Sequence, residues 1–139
     1  MSKVAVIYWS GTGNTEAMAK AVAEGVQAAG AEADLFAVHE ITAADAAKYD
    51  RLALGCPSMG DEVLEENDFE PFFESIESKL SGKKIALFGS YGWGDGQWMR
   101  DWEKRVDGDR AVLFGDGLIA CGYPDENECI EFGKQFVAF

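Results

Sequence analysis

The chain has 139 residues, 47% of them hydrophobic, and a formal net charge of −13 at pH 7. That apolar content suffices for one core, so we expect a single domain over residues 1–139. The charge argues against nucleic acid and anionic membranes as partners, because their phosphates would repel the chain, and it favours partners with basic docking surfaces.

Targeting signals and cysteine usage predict where the protein resides. No apolar run approaches the roughly 20 residues of a membrane span, so no membrane association is expected. The N-terminus leads directly into a short strand rather than a secretory leader. Because Cys56, Cys121 and Cys129 lie in unlike settings, we expect reduced thiols and a cytoplasmic protein, with Cys56 and Cys121 buried as small apolar residues. His39 is expected on the surface, at the end of a strand.

Short apolar runs alternate with amphipathic stretches along the whole chain. The runs predict five strands, at Val4–Trp9, Ala33–Val38, Arg51–Gly55, Ile85–Gly89 and Val112–Ala120. The last strand is interrupted by glycines at positions 115 and 117, which could form either a bulge or a bend.

Apolar residues at helical spacing follow each predicted strand. The first helix contains Met18 and Val22, and a weaker, shorter helix is predicted at Ile41–Tyr49. The third helix contains Phe69 and Phe73, with Pro71 at an early position that suits proline. The fourth and fifth helices are predicted around two core tryptophans, Trp98 and Trp102, and after a capping aspartate, Asp125.

Five nearly continuous apolar strands, each followed by a helix, predict an α/β fold whose parallel sheet is covered on both faces. Right-handed crossovers then make a doubly wound three-layer sandwich the simplest topology. Ligands of such sheets bind at the carboxyl ends of the strands, where the winding reverses. We therefore expect the functional residues in the loops after strands 1, 3 and 4.

The loop after strand 1 reads Ser10-Gly11-Thr12-Gly13-Asn14-Thr15 and opens the first helix. Glycines, hydroxyls and an amide at a helix N-terminus can bind a phosphate through backbone N–H groups and the helix dipole. No lysine or arginine lies between Lys3 and Lys20, so a single phosphate on a small cofactor fits better than a nucleoside triphosphate. A polar turn that merely caps the helix is the alternative interpretation.

Two common phosphate motifs do not match this loop. A Walker loop requires lysine followed by serine or threonine after its second glycine, where Asn14 and Thr15 stand. A dinucleotide fingerprint requires a third glycine or alanine where the chain has Glu16.

The other two loops have features suited to a flat ring. Met59 follows strand 3, and Trp93 stands between glycines after strand 4. Either residue could contact an aromatic face, or could instead fold back and fill a gap at the end of the sheet. The pair Gly60-Asp61 occupies the centre of a predicted four-residue turn, where glycine accepts a positive φ and aspartate tolerates one. The peptide between them could therefore adopt two orientations.

The whole chain resembles the flavodoxins, and specifically the short-chain type of anaerobic bacteria. Three segments carry the resemblance: Tyr8–Thr15, Met59–Glu62 and Gly89–Gly94. The resemblance implies a flavodoxin-like sheet of strand order 2-1-3-4-5 and the cofactor FMN. It places cofactor-binding residues in all three loops: Ser10, Gly11, Thr12, Gly13, Asn14, Thr15, Pro57, Ser58, Met59, Gly60, Asp61, Glu62, Ser90, Tyr91, Gly92, Trp93, Gly94 and Asp95.

The family's contacts, carried over to these positions, imply a role for each loop. The hydroxyl and amide side chains of the first loop would hold the FMN phosphate. Trp93 would stack on the outer face of the isoalloxazine ring and Met59 would cover the inner face. The Gly60 carbonyl would accept the hydrogen on N5 of the neutral semiquinone, Glu62 would meet the N3 side of the ring, and the backbone near Gly92 would contact its pyrimidine edge.

The implied function is that of a low-potential one-electron carrier, a monomer that shuttles between semiquinone and hydroquinone to serve larger redox proteins. The segment 61–77 contains eight carboxylates and no basic residue. One such charge about 10 Å from the flavin contributes about 0.4–1.7 kcal/mol, so a few can lower the second potential by roughly 100 mV. The same run also suits a solvated helix face, and both interpretations can hold together.

Three other functions are alternatives on this fold class. A flavin-dependent NAD(P)H or quinone reductase needs a substrate pocket over the ring, for which the short chain and a stacked Trp93 leave little room. An activator of a single metalloenzyme is the second alternative. A response-regulator domain needs an aspartate at the end of strand 3, where Cys56 stands, and is therefore discarded.

Overall fold

One parallel β-sheet organises residues 3–139, the part of the chain that the computed structural model describes. Met1 and Ser2, which belong to the predicted domain, lie outside the described residues. The strand order is β2-β1-β3-β4-β5, with β6 also paired to β4, so the predicted order 2-1-3-4-5 is confirmed. The strands are β1 (Lys3–Tyr8), β2 (Glu32–Ala37), β3 (Arg51–Gly55), β4 (Lys84–Tyr91), β5 (Val112–Leu113) and β6 (Leu118–Cys121).

The helices alternate with the strands, as their apolar spacing predicts. A short 3₁₀ turn at Val38–Glu40 also follows β2. None of the helices within residues 3–139 is long and apolar enough to cross a membrane. The five helices are α1 (Asn14–Ala28), α2 (Ala43–Ala46), α3 (Phe69–Glu77), α4 (Gln97–Gly108) and α5 (Glu126–Ala138).

The predicted fifth strand is interrupted at its glycines, as expected, and the interruption is a bend rather than a bulge, so that two short strands form, β5 and β6. Both β5 and β6 pair with β4, but the chain leaves the sheet between them. Gly115 has φ +52° at the tip of the bend. The N–H of Gly117 donates to the Glu103 carboxylate, which fixes the return of the chain to the sheet.

Alternate residues of each strand enter two separate cores. Val4 and Val6 of β1 pack under α1 and α5, whereas Ala5 and Ile7 face the α3 and α4 side. Helices α1 and α5 approach closely because Gly133 has no side chain. A Cβ atom at this position would overlap the main chain of α1. On the opposite face, the predicted core tryptophans Trp98 and Trp102 are both buried, which confirms their assignment.

The three cysteines and the histidine differ in their burial. Cys56 and Cys129 are buried, and burial raises the pKa of the Cys56 thiol well above its ordinary value. Cys121 is exposed at the end of β6, so its predicted burial is wrong. Its strand lies at the edge of the sheet, and the alternating pattern of a strand does not reveal how well each face is covered. His39 is exposed directly after β2, as predicted.

A charged cluster joins α3 to α4. Arg105 donates to both carboxylate oxygens of Glu70, at 2.8 and 2.6 Å, and to Glu77 at 2.6 Å. Burial opposes ionisation of Glu77, but its hydrogen bonds with Arg105 and Asp109 lower its pKa. Burial, the hydrogen bond with Glu77 and the negative charge of Glu77 raise the pKa of Asp109 to about 6. Asp109 is therefore protonated in the folded chain at a pH where it is ionised in the unfolded chain.

We expect Asp109→Asn to stabilise the fold above pH 6, because the amide imitates the protonated carboxyl beside Glu77. Since the pKa of Asp109 is raised from 3.8 to about 6, its contribution to stability is complete below 3.8 and is lost as the pH rises through about 6. The difference between variant and parent should thus be largest above pH 6 and shrink towards pH 4. Urea unfolding across this range measures it, and a difference independent of pH would contradict the argument.

Candidate functional site

Three loops meet at the carboxyl edge of the sheet around a cavity of about 240 Å³. The first loop follows β1, the second follows β3 and the third follows β4, as the topology predicts. Most of the lining consists of residues that the sequence assigned to the site. The lining residues are Trp9, Ser10, Gly11, Thr12, Asn14, Thr15, Pro57, Ser58, Met59, Ser90, Tyr91, Gly92 and Gly122.

The first loop presents the N-terminus of α1 to this cavity. Gly13 precedes the helix with φ +97°, and among the described residues no side chain caps the helix there. The Ser10 hydroxyl accepts the N–H of Gly13 at 3.0 Å, which closes the loop on itself. Lys20 pairs with Glu16 one turn into the helix, at 3.7 Å, and does not line the cavity. The loop therefore offers backbone N–H groups and hydroxyls, rather than a cation, to an anion.

A buried hydroxyl pair connects the first loop to β4. The Oγ1 atom of Thr15 lies 2.9 Å from Oγ of Ser90 and also accepts the N–H of Ser90 at 3.3 Å. Both residues are at least 95% buried. Because a buried hydroxyl without a partner is costly, this pair fixes the start of α1 against the central strand.

The second loop is a hairpin with one more residue than predicted. Met59 and Val63 exchange two backbone hydrogen bonds, at 2.8 and 2.9 Å, so three residues form the tip. Gly60 has a positive φ of 52°, as predicted. The second left-handed residue is Glu62, with φ 58°, rather than Asp61, because the bridge at Val63 extends the turn.

The Glu62 side chain connects the second loop to the third. Its Oε1 atom accepts the N–H groups of Asp95, at 3.3 Å, and of Gln97, at 3.1 Å, at the start of α4. The Asp95 carboxylate instead pairs with Arg100 at 2.9 Å. The two loops are thus held together by a carboxylate at a helix N-terminus, where the helix dipole favours negative charge.

Two apolar side chains remain exposed at the outer end of the site. Trp93 is 63% exposed and Met59 is 38% exposed. Neither is buried by the protein's own packing, so the alternative in which both fill gaps in the sheet end is not the arrangement observed. The predicted site residues that do not line the cavity itself are Gly13, Gly60, Asp61, Glu62, Trp93, Gly94 and Asp95.

A buried carboxylate anchors the far end of the second loop. Glu65 is 4% exposed, and its carboxylate accepts the N–H groups of Asn67, Asp68 and Phe69 at 2.7–2.8 Å. Its own N–H donates to the Cys56 sulfur at 3.3 Å. Glu65 therefore caps α3 and closes the segment that begins after β3.

We expect Glu65→Ala to destabilise the fold by about 2–4 kcal/mol, because three N–H groups, of which that of Phe69 is buried, lose a charged acceptor. The matched control is Glu66→Ala, which removes the exposed carboxylate of the next residue and should change the free energy of unfolding by less than about 0.5 kcal/mol. Urea unfolding measures both variants. Equal effects of the two substitutions would show that Glu65 does not act as the cap.

The cavity has the chemistry of a site for a phosphorylated flat molecule. Its lining offers hydroxyls and N–H groups at the start of α1, glycine backbone and the Met59 side chain, and Trp93 is exposed in the adjoining third loop. Within residues 3–139, no group of histidine, cysteine and acidic side chains is arranged to hold a metal ion. The hydroxyls, N–H groups and glycine backbone that line the cavity fit an organic cofactor with one phosphate.

Two residues of the cavity were missed by the sequence prediction. Trp9 was assigned to the end of a strand and to the segment Tyr8–Thr15 that carries the resemblance, but not to the cofactor-binding residues, and Gly122 was not considered. Gly122 follows β6, whose carboxyl end lies at the same edge of the sheet, and its N–H donates to the Tyr91 carbonyl at 2.9 Å. The topology alone was a sufficient signal for Gly122, whereas the position of the Trp9 indole depends on packing.

Comparison with known proteins identifies the family. The flavodoxin family model matches residues 6–133. A flavodoxin of Clostridium beijerinckii is 53% identical over 132 residues, which cover 94% of this chain and 96% of that protein. The chain belongs to the flavodoxin family. A second flavodoxin, from Megasphaera elsdenii, is 44% identical over 131 residues and is covered to the same extent.

Solved flavodoxin structures have the same fold. The solution structure of two-electron reduced Megasphaera elsdenii flavodoxin matches with a TM-score of 0.90 at 44% identity and covers 98% of this chain and 99% of that one. Oxidised flavodoxin 1 of Bacillus cereus matches with a TM-score of 0.87 at 28% identity, over 99% of this chain and 98% of that one.

Membership of the family confirms the expected function and cofactor. The chain is an electron-transfer protein rather than an enzyme, and its cofactor is FMN. The reductase alternative gains no support. An NAD(P)H dehydrogenase (quinone) of Gluconacetobacter diazotrophicus is 54% identical over only 48 residues, which cover 34% of this chain and 24% of that protein.

Proposed function

We propose that this flavodoxin binds FMN with its phosphate at the first loop and its ring between the second and third loops. The observation that carries the proposal is the convergence of these loops on one cavity, polar at the start of α1 and apolar at its outer end. FMN, when bound, supplies one-electron redox chemistry in two successive steps. The protein's own contribution is to bind the cofactor, orient it and set its electrostatic surroundings.

The first loop holds the phosphate without a cationic side chain. Hydroxyl and amide groups are supplied by Ser10, Thr12, Asn14 and Thr15. The uncapped N-terminus of α1 supplies N–H groups. Hydrogen bonding and the helix dipole together suffice for one phosphate. The hydrogen bond between Thr15 and Ser90 keeps the Thr15 side chain at this end of the cavity.

The second and third loops surround the ring. Trp93 in the third loop and Met59 in the second are exposed and provide aromatic and polarisable contact surfaces. The Gly60 carbonyl would accept a hydrogen bond from N5–H of the cofactor, and Glu62 would face the N3 side. In the structure, Glu62 receives two backbone N–H groups, so its carboxylate meets the cofactor from a fixed position.

The acidic segment 61–77 has two uses. Glu65 caps α3, while Glu70 and Glu77 bind Arg105. The other carboxylates are free of these structural tasks and place negative charge near the second loop. They oppose the addition of a second electron to the cofactor and so keep the second potential low.

The exposed carboxylates around Trp93 and Met59 also define the partners. An exposed apolar patch rimmed by negative charge suits a transient contact with a basic surface on a larger redox protein. Cytoplasmic location and a monomeric state remain predictions. Electron transfer to a basic haem protein should slow as salt is added, and a rate independent of salt would contradict electrostatic docking.

Stepwise anaerobic reduction of the protein with FMN tests the proposed function. We expect two resolved one-electron steps in the visible spectrum, with the second at a much lower potential than the first. A single two-electron step would contradict the proposal and favour the reductase. The same titration with the phosphate-free analogue riboflavin shows how much the first loop contributes to binding.

A further inference from the structure

The Trp9 side chain covers the first loop. A Cβ atom added to Gly11 would lie 3.0 Å from Cη2 and 3.3 Å from Cζ3 of the indole, so the six-membered ring packs directly on the Gly11 backbone. The N–H of Trp9 donates to the Gly55 carbonyl at 3.0 Å, which fixes the backbone at the end of β1. The indole therefore contacts the loop from a firmly held backbone position.

The far edge of the same indole is held by a different part of the chain. Its Nε1–H donates to Oδ2 of Asp68 at 3.3 Å, across 59 positions in the sequence. Asp68 directly precedes α3, and its N–H donates to the buried Glu65 carboxylate at 2.7 Å. A chain of contacts thus runs from Glu65 through Asp68 and Trp9 to Gly11.

Trp9 lines two cavities. One is the cofactor cavity of about 240 Å³, and the other is a cavity of about 250 Å³ that Tyr8, His39 and Asp68 line as well. Space is therefore available beside Trp9 in a cavity that Gly11 does not line. An indole released from Asp68 can turn into that space and uncover the loop.

We propose that Asp68 is a positioning residue for the phosphate loop and acts through Trp9. The hydrogen bond holds the indole over Gly11, and this contact sets the loop 10–15 in the conformation that receives the phosphate. The inference rests on the proposed function, since it concerns the same site.

The negative charge of Asp68 weakens phosphate binding, whereas its hydrogen bond to the Trp9 indole favours it. A carboxylate near an anion repels it, so the removal of the charge alone would strengthen binding of a phosphate. Asp68→Asn removes the charge but keeps an oxygen acceptor for the indole N–H, whereas Asp68→Ala removes both. The two substitutions therefore separate the positioning role from the electrostatic one.

The experiment is a titration of the flavin-free full-length protein with FMN and with riboflavin, followed by the quenching of flavin fluorescence. We expect Asp68→Ala to weaken FMN binding about three- to tenfold, the equivalent of one net hydrogen bond. Binding of riboflavin, which has no phosphate, should not change. Asp68→Asn should bind FMN at least as tightly as the parent chain.

A double-mutant cycle shows whether Asp68 acts through Trp9. In a Trp9→Phe background, which has no indole N–H, Asp68→Ala should cause no further loss of FMN affinity. The inference would be overturned by an undiminished loss of FMN affinity in that background. It would also be overturned if Asp68→Ala bound FMN as tightly as the parent chain, or if it lost as much affinity for riboflavin as for FMN. Urea unfolding of each flavin-free variant controls for folding. A parent chain that binds FMN no better than riboflavin would instead contradict the proposed function.

Discussion

Gly60→Thr should lower the first one-electron reduction potential of bound FMN by roughly 40–90 mV. Gly60 has φ +52°, and a β-branched residue in the left-handed region costs about 1–2 kcal/mol. No atom lies within 4 Å of a Cβ atom built on Gly60, so the cost is confined to the backbone. The substitution disfavours the conformation in which the Gly60 carbonyl would accept a hydrogen bond from N5–H. Spectroelectrochemical titration measures both potentials.

Gly82→Thr is the matched control for this prediction. Gly82 also has a positive φ, of 80°, and open space around a Cβ atom, but it lies between α3 and β4 at the opposite edge of the sheet. It should carry a similar backbone cost and leave both potentials unchanged. Unaltered potentials in Gly60→Thr would rule out a role for this peptide in setting them.

Trp93→Ala should weaken FMN binding by about ten- to a hundredfold, since stacking between aromatic rings contributes about 1–3 kcal/mol. The second reduction potential should rise, because the stacked indole disfavours the added negative charge. Trp93 is 63% exposed, so its removal takes little from the fold and the effect falls on the cofactor. Fluorescence titration and the two potentials are the measurements.

Two controls define the cause of the Trp93 effect. Trp93→Phe keeps an aromatic ring and should retain most of the affinity. Tyr123→Ala removes an aromatic residue of similar exposure, 66%, that lies outside the three cofactor loops, and should change nothing. If Trp93→Ala bound FMN as the parent chain does, stacking would be excluded.

The sequence was sufficient to predict the sheet and the place of the site. The continuous apolar run of β1 and the helical spacing in α1 and α3 are local patterns, and crossover handedness then leaves few topologies. The loops after β1, β3 and β4 could be assigned because parallel strands end at one edge. The glycines of the fifth strand predicted its interruption but left open whether a bulge or a bend would form, since glycine marks a break without fixing its geometry.

The contacts between loops were not predictable from local patterns. The Glu62 carboxylate bonds residues 33 and 35 positions away, and Trp9 bonds Asp68 across 59 positions. Such bonds depend on where two loops come to lie after the sheet has formed. The acidic run 61–77 likewise gave no sign that Glu65 would be buried as a cap, because a buried carboxylate and a solvated one look alike in the sequence.

The bend between β5 and β6 bears on how chains of this fold change in length. Gly115 lies at its tip with open space around it, and both flanking strands are held in register by β4 rather than by each other. Extra residues inserted after Gly115 would leave the sheet and the cofactor edge unchanged. The bend is therefore a natural point for evolutionary insertion, and an engineer could graft a peptide or a fused module there without disturbing electron transfer.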